Sequence, residues 1–510
     1  MNAPLLERYR DRIAGVLTCY DRMLITGTLP GACYAAGMTS FLNAKHIRIF
    51  DYPRFAEPLR ESIRTNAEAL AASAGVTIQY IVKAHVRKES VVAAVIEARG
   101  DHPGLVHVIS VMEACSSYHA WHDKRTHQTF LRPTSGKCLH YYFYFIDAEL
   151  GLVYLRVPTW CPFRLQFYCN GHSWLARQLT AASINYTLAD NAFLRIGDWA
   201  QAQPLADNLS PDVLYRILDR HAQQCCPVLD VFGQTYHWSL MQIECSTDRA
   251  FRSTAIMQPL YEALSREAIV SVKAPQVMHF LGKKLTPQLA QELESRLSTR
   301  IERTCIKHRL GQHSVKMYDK FGQVLRIETT THNVSFFKHH RKVEHRDGEA
   351  SQELAAVKKS IYDQRKSPWD SLIDRREILL GCNRRYLEFL CALDDFSAGT
   401  RCLGKLTTPK EIDGHRIKGF NFFDKIEHDL LCSLQHPEFN IRGVRRADLK
   451  PFLPHLAAAS ITRYLRRLRD FGLIKKIVGT YRYYLTRTGR NAIAAACRIA
   501  EQIIRPALAA

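Results

Sequence analysis

Two rhythms of hydrophobic and polar positions organise this chain. Arg60–Ala74 and Ser90–Arg99 carry apolar residues at helical spacing, while Val76–Val82 between them alternates as a strand does. Gly104–Met112 is a continuous apolar run, which predicts a strand buried on both faces. Cys138–Ile146 is rich in aromatics, Asp147–Gly151 reads as a turn and Leu152–Val157 as a returning strand, so the segment predicts a β-hairpin. Trp160–Tyr168 continues extended, and Gly171–Leu179 begins a helix. Ser314–Lys320 and Val324–Thr331 predict a second hairpin, turned at Phe321-Gly322-Gln323. Lys338–Pro368 is dense in charge and closes on Lys366-Ser367-Pro368, a pattern read as a solvated helix and linker. Ser371–Leu393 returns to helical spacing.

The pattern sharpens after Gly419. Phe422–Leu434 is spaced for a helix, Ala447–Phe452 for a short one stopped by Pro454, and Ala458–Phe471 for a third. Ile461, Leu465, Leu468 and Phe471 form one apolar stripe on that third helix. Ser460 is placed to begin it, and Gly472 stands where a left-handed residue ends helices. The opposite face carries Thr462, Arg463, Arg466, Arg467 and Asp470. Leu473–Ile477 then predicts a strand, Val478-Gly479-Thr480 a tight turn, Tyr481–Leu485 the returning strand, and a last helix starts near Thr488. Such an order lets one basic helix face enter a major groove while a two-stranded wing touches flanking phosphates. Ser460, Thr462, Arg463, Arg466 and Arg467 on the helix, with Lys475, Lys476, Tyr481 and Arg482 on the wing, are the candidate DNA contacts.

Charge supports a polyanionic partner. The chain holds 70 Lys and Arg against 49 Asp and Glu, a net of +21, and each phosphate neutralised releases counterions. Between Glu438 and Arg490, 13 basic residues face 3 acidic ones, so the excess is concentrated where the helix and wing are expected. The stretches Tyr464-Leu465-Arg466-Arg467-Leu468, Gly472-Leu473-Ile474, Tyr483-Tyr484-Leu485-Thr486 and Gly489-Arg490 resemble the MarR-type winged-helix regulators. That resemblance implies a DNA-binding winged helix-turn-helix; a winged helix used for protein contacts is the other reading.

A second basic segment lies mid-chain. From Arg300 to Arg346 there are 11 basic and 4 acidic residues, and strand alternation sets Lys316, Tyr318 and Lys320 on one face, with Arg326 and Glu328 sharing a face of the next strand. A tyrosine between lysines, beside a carboxylate able to hold Mg²⁺ or Mn²⁺, could attack a phosphodiester, the lysines lowering the phenol's pKa and the metal polarising the phosphate. On this reading Tyr318, Lys316, Lys320 and Glu328 are the catalytic candidates. The K-x-Y-D-K followed by L-R-x-E is similar to a hairpin in the replication initiators of rolling-circle plasmids and filamentous phages, which implies DNA nicking or strand transfer. The His-hydrophobe-His pair of many such enzymes has no counterpart in this chain. A basic hairpin that packs, or that grips a nucleic-acid backbone without chemistry, is the alternative.

A third cluster comprises Glu113, Tyr118, His119, His122, Asp123 and His127. On a helix, the i, i+3 spacing of His119 and His122 could share a metal, with Glu113 as a further ligand; a polar loop is the plainer reading. His140–Tyr144 and Trp160–Tyr168 interleave aromatic and basic residues, as a stacking platform for single-stranded DNA or RNA would, or as core. Segments Lys137–Tyr142, Asn170–Arg177 and Lys316–Lys320 resemble a group of large bacterial proteins, which implies one architecture along the whole chain and no mechanism.

An apolar fraction of 46% over 510 residues is enough for several cores. Met1–Arg12 has no signal-peptide apolar core, Tyr141–Ile146 is too short to span a bilayer, and the fifteen cysteines form no CxxC pair. The expectation is a cytoplasmic α+β, multi-domain protein: mixed α/β N-terminal and central regions at 1–135 and 136–345, a charged helical linker at 346–418, and a winged helix at 419–510. Double-stranded DNA is its expected partner, with single-stranded DNA, RNA or a second copy as further candidates and no membrane. A mobile-element or replication-type nicking enzyme, with Mg²⁺ or Mn²⁺ as its candidate metal, is the alternative function.

Overall fold

The computed structural model describes residues 9–498 apart from 84, 273, 284–292, 301–302, 334–335, 338, 345–349, 358–369, 393–403, 405, 413, 422–423, 437–438 and 440–442. It divides into two compact units, Met1–Leu390 and Cys391–Ala510.

The first unit begins with β1 (Ile13–Thr28), α1 (Ala35–Ala44), α2 (Tyr52–Ser73), β2 (Ile78–Tyr80), α3 (Lys88–Arg99) and the long hairpin β3 (Gly104–Asp123) and β4 (Gln128–Asp147). It continues through β5 (Gly151–Pro158), β6 (Leu165–Cys169), α4 (Gly171–Ala181), β7 (Tyr186–Ala189), β8 (Ala192–Ile196), α5 (Trp199–Asp207), α6 (Pro211–Cys225) and α7 (Leu229–Phe232). Next come β9 (His237–Phe251), α8 (Thr254–Ser271), α9 (Ala274–Phe280), β10 (Leu293–Arg300), β11 (Arg303–Leu310), β12 (His313–Lys320), β13 (Val324–Thr331), β14 (His339–Glu344), β15 (Ala350–Val357) and α10 (Asp370–Ala392).

Among the described residues, eleven strands make one sheet in the order β10-β11-β12-β13-β9-β1-β6-β5-β4-β3-β2, in which only β2 and β3 run parallel. Helices and a mostly antiparallel sheet together match the expected α+β class. The expected boundary at 135/136 does not divide this unit, because it falls inside β4, whose pairing with β3 runs unbroken past Ser116↔Ser135. Among its described residues, the charged stretch after residue 338 contains the antiparallel pair β14–β15 where a helix was expected. Charge density has no period of its own, so it could not distinguish the two. Lys338 and Lys366-Ser367-Pro368 lie outside the described residues.

Alternation on β4 serves two cores. Tyr141, Phe143 and Phe145 pack with Leu59 and Ile63 of α2 and Leu214 and Leu218 of α6, while Tyr142, Tyr144 and Ile146 pack with Val92 of α3. These aromatics are buried, so the run is core, each large side chain contributing about 1.5–3 kcal/mol by its removal from water.

Strand β1 changes phase midway. Before residue 21, Leu17 and Cys19 face α4 and α5; after it, the odd positions Met23 and Ile25 enter the large core on the other face. The cause is a β-bulge: Tyr20 pairs with Cys245 and Arg22 with Glu244, which leaves Asp21 as the extra residue.

The second unit contains β16 (Lys410–Ile412), β17 (His415–Ile417), α11 (Lys425–Ser433), α12 (Arg446–Leu449), α13 (Ala458–Asp470), β18 (Ile474–Lys476), β19 (Tyr483–Leu485) and α14 (Arg487–Arg498). Of the first expected helix, Phe422 and Phe423 lie outside the described residues. Leu430, Leu431, Ile461, Leu465, Leu468, Phe471 and Ile493 share one core. Among the described residues of the chain, no helix is long and apolar enough to cross a membrane.

Candidate functional site: a buried charge cluster and a basic helix

Register brings the two halves of the mid-chain candidate together. Lys316 pairs with Glu328 and Tyr318 with Arg326, and on the far side of β13 Glu328 pairs with Ser246 and Arg326 with Asp248. Paired residues share a face, so β12, β13 and β9 present one row of charge. The β1 bulge adds Asp21. Helix α4 adds His172, because Gly171 has no side chain: a Cβ there would lie 2.6 Å from the Tyr20 carbonyl oxygen. The β7–β8 turn adds Asp190 and Asn191.

Arg326 has no exposed surface. Its guanidinium donates to both oxygens of Asp248 at 2.7 and 2.6 Å, to Asp21 at 3.2 Å and to the Asn191 carbonyl at 2.6 Å, and its Nη2 lies 3.1 Å from His172 Nε2. Burial opposes ionisation of Asp21 and Asp248, but Arg326 and His172 outweigh it and hold both carboxyls below the usual range. Lys320 donates to Asp190 at 2.7 Å and to Asn191, and burial, helped by Arg326, lowers its ammonium pKa.

Glu328 accepts from Lys316, from the Tyr318 hydroxyl at 2.5 Å and from Thr330 at 3.2 Å. The expected activation of Tyr318 is reversed: burial and the Glu328 charge push its phenol well above the usual tyrosine value, and the opposing Arg326 charge does not offset them. Burial also opposes the charge on Lys316, yet Glu328 and Glu244 keep its ammonium above the usual lysine range. Oxygens of Asp21, Glu244 and Glu328 lie within 4.8 Å of one another, a donor set that could take a hard divalent cation. Sequence reasoning missed Asp21, Glu244 and Asp248. The signal for two of them was present, because Gln242, Glu244, Ser246 and Asp248 place polar groups at every second position of a long strand.

Glu244 makes the cluster sensitive to pH on the acid side of neutrality. Burial and then the Glu328 charge raise its carboxyl from 4.5 to about 7. The folded form therefore holds a proton that the unfolded chain releases, and stability falls as pH climbs from about 4.5 to about 7. Glu244→Gln is expected to stabilise the protein at pH 8 by on the order of 2 kcal/mol and to change little near pH 4, as read from urea melts at both pH values. A gain of equal size at both would refute the assignment.

The third cluster does not converge. Glu113, His119 and His122 lie on a strand, where residues three apart point to opposite faces. Glu113 accepts from Lys88 at 2.8 Å, Tyr142 at 2.9 Å and Arg156 at 3.0 Å, and these partners, against burial, hold its carboxyl below its usual value. His122 bonds Thr129 at 3.0 Å, and His119 stands edge-on to Trp121. Tyr118 donates to the Ala32 carbonyl oxygen at 2.7 Å.

On α13 the apolar stripe is buried and Thr462, Arg463 and Arg466 are exposed. Arg469, which sequence reasoning passed over, is exposed beside them. Two candidates sit differently. The helix starts at Ala458, which puts Ser460 inside its first turn, accepting from Arg463 at 3.3 Å. Arg467 turns inward: it pairs with Glu427 at 2.6 Å, donates to the Lys418 carbonyl oxygen at 2.8 Å and lies 4.0 Å over the Phe420 ring. Gly472 follows the helix at φ 69°. The β18–β19 ribbon exposes Lys475, Lys476 and Tyr481, with Val478 at its tip 96% exposed, while Arg482 is half-buried.

In comparison with known proteins, no family model, no curated protein and no solved structure matches the chain. The functional reading therefore rests on geometry and chemistry.

Proposed function

We propose that the chain is a site-specific DNA-binding protein, of the MarR-like regulator or nucleoprotein class, whose C-terminal unit is a winged helix-turn-helix. One observation carries this reading. The exposed face of α13 presents Arg463, Arg466 and Arg469, and the adjoining ribbon exposes Lys475, Lys476 and Tyr481. The helix would lie in the major groove with its arginines on base edges and phosphates, while the ribbon follows the neighbouring backbone. Val478, apolar at the ribbon tip, is suited to a groove floor.

The central charge cluster is given a structural role in this reading. Glu328 is 1% exposed, Tyr318 7% and Arg326 0%, so a phosphodiester would reach them only if the sheet opened. Nicking by Tyr318 is therefore not adopted.

Selection of duplexes from a random pool by the full chain tests the proposal. Enrichment of one short sequence, with affinity falling as salt rises, is the expected result. Failure to retain any duplex at low ionic strength would sink it.

A further inference from the structure

At its core, the C-terminal unit gathers three side chains with soft-metal chemistry. His428 and Cys432 are four residues apart on α11, so they project from the same side of that helix. Helix α14 brings Cys497 against them. Cys432 Sγ lies 3.2 Å from Cys497 Sγ and 3.7 Å from either ring nitrogen of His428, and one ligand atom from each residue falls within 4.8 Å of the others. His428 and Cys497 are buried, and Cys432 is half-buried.

We propose that His428, Cys432 and Cys497 bind a zinc ion that clamps α11 to α14. Thiolate and imidazole are the ligands zinc favours, and the absence of a carboxylate from the set disfavours magnesium, calcium and manganese. Around a tetrahedral ion with Zn–S bonds of about 2.3 Å and Zn–N of about 2.0 Å, donors stand roughly 3.5–3.8 Å apart. The separation of the Cys432 sulfur from the imidazole nitrogen meets that spacing, and the sulfur–sulfur one needs to open by roughly half an ångström.

Charge fits as well. Each thiol gives up its proton on binding, so two thiolates cancel the ion's two positive charges and leave a neutral centre, which a buried position tolerates. Three protein ligands leave the fourth position for water on the half-open side of Cys432. The clamp joins residues 65 positions apart in sequence, so binding adds to the stability of the folded unit.

The test uses the full chain, purified without chelator and analysed for metal, then exchanged with cobalt. About one zinc per chain is expected to survive gel filtration, and the cobalt form is expected to show thiolate-to-cobalt absorption in the near ultraviolet. Cys432→Ser and Cys497→Ser should each remove most of that absorption, whereas His428→Asn, which leaves both thiolates on the ion, should lose only part of it. A chelator should lower the wild-type Tm and added zinc restore it, a readout that does not depend on the variants folding. Wild-type protein without metal or cobalt uptake overturns the proposal. So does zinc content that all three variants share with the wild type, or a Cys432–Cys497 disulfide in protein isolated under alkylation.

Discussion

Replacing Arg463 and Arg466 together with alanine is expected to remove most of the chain's affinity for its duplex while leaving its Tm unchanged. Both side chains are exposed and anchor nothing in the core of the unit, so the loss falls on binding. A guanidinium on a phosphate contributes about 0.9 to the slope of log K against log salt, so two such contacts lower the slope by about 1.8. A guanidinium on a base edge instead costs about 1–3 kcal/mol at one position of the site and leaves the slope alone. Affinity measured across a salt series, on the selected sequence and on point variants of it, separates these contributions. Arg467→Ala is the internal contrast: it releases Glu427 and uncovers Phe420, so Tm should fall with little change in slope. A double variant that binds as the wild type does would show that α13 is not the reader.

Arg326→Met is expected to cost about 3–5 kcal/mol, the range for removing one partner of a buried ion pair. The methionine fills space but leaves Asp21 and Asp248 without their counter-charge in the middle of the sheet. Arg326→Lys should recover only part of the loss, because an ammonium cannot bond both Asp248 oxygens in parallel and also reach Asp21 and the Asn191 carbonyl. The pH dependence has a definite sign. Both carboxyls are depressed in the fold, so the arginine's contribution is complete above the unfolded value of about 4 and drains away as pH falls below it. Urea melts at pH 7 and pH 3 should therefore show the gap between wild type and variant narrowing in acid. A loss under about 1 kcal/mol at pH 7 would mean that the cluster does not hold the sheet together.

The contrast between what the sequence disclosed and what it concealed is one of range. Alternation over Val315–Lys320 and Val324–Thr329 depends only on neighbours two residues away, so the rows Lys316-Tyr318-Lys320 and Arg326-Glu328 could be read directly. Their joining with Asp21 and Asp248 depends on β1 lying beside β9, more than two hundred positions later, and on a bulge that no local pattern announces. The i, i+3 spacing of His119 and His122 means a shared face on a helix and opposed faces on a strand, and β3 proved far longer than its apolar run. Arg467 was misread for a finer reason. It borders the apolar stripe of α13, where a turn of a few tens of degrees decides between water and Glu427.

The half-step at Asp21 sets the odd positions of β1 before and after it into different layers. A residue deleted or inserted between Ile13 and Thr28 would carry Met23 and Ile25 out of one hydrophobic layer and drive Leu24 into it, so the spacing on each side of Asp21 is locked to whole pairs. The β3–β4 tip at 124–127 has no layer beneath it to misalign. Length variation in this molecule should collect at that tip and be almost forbidden in its central strand.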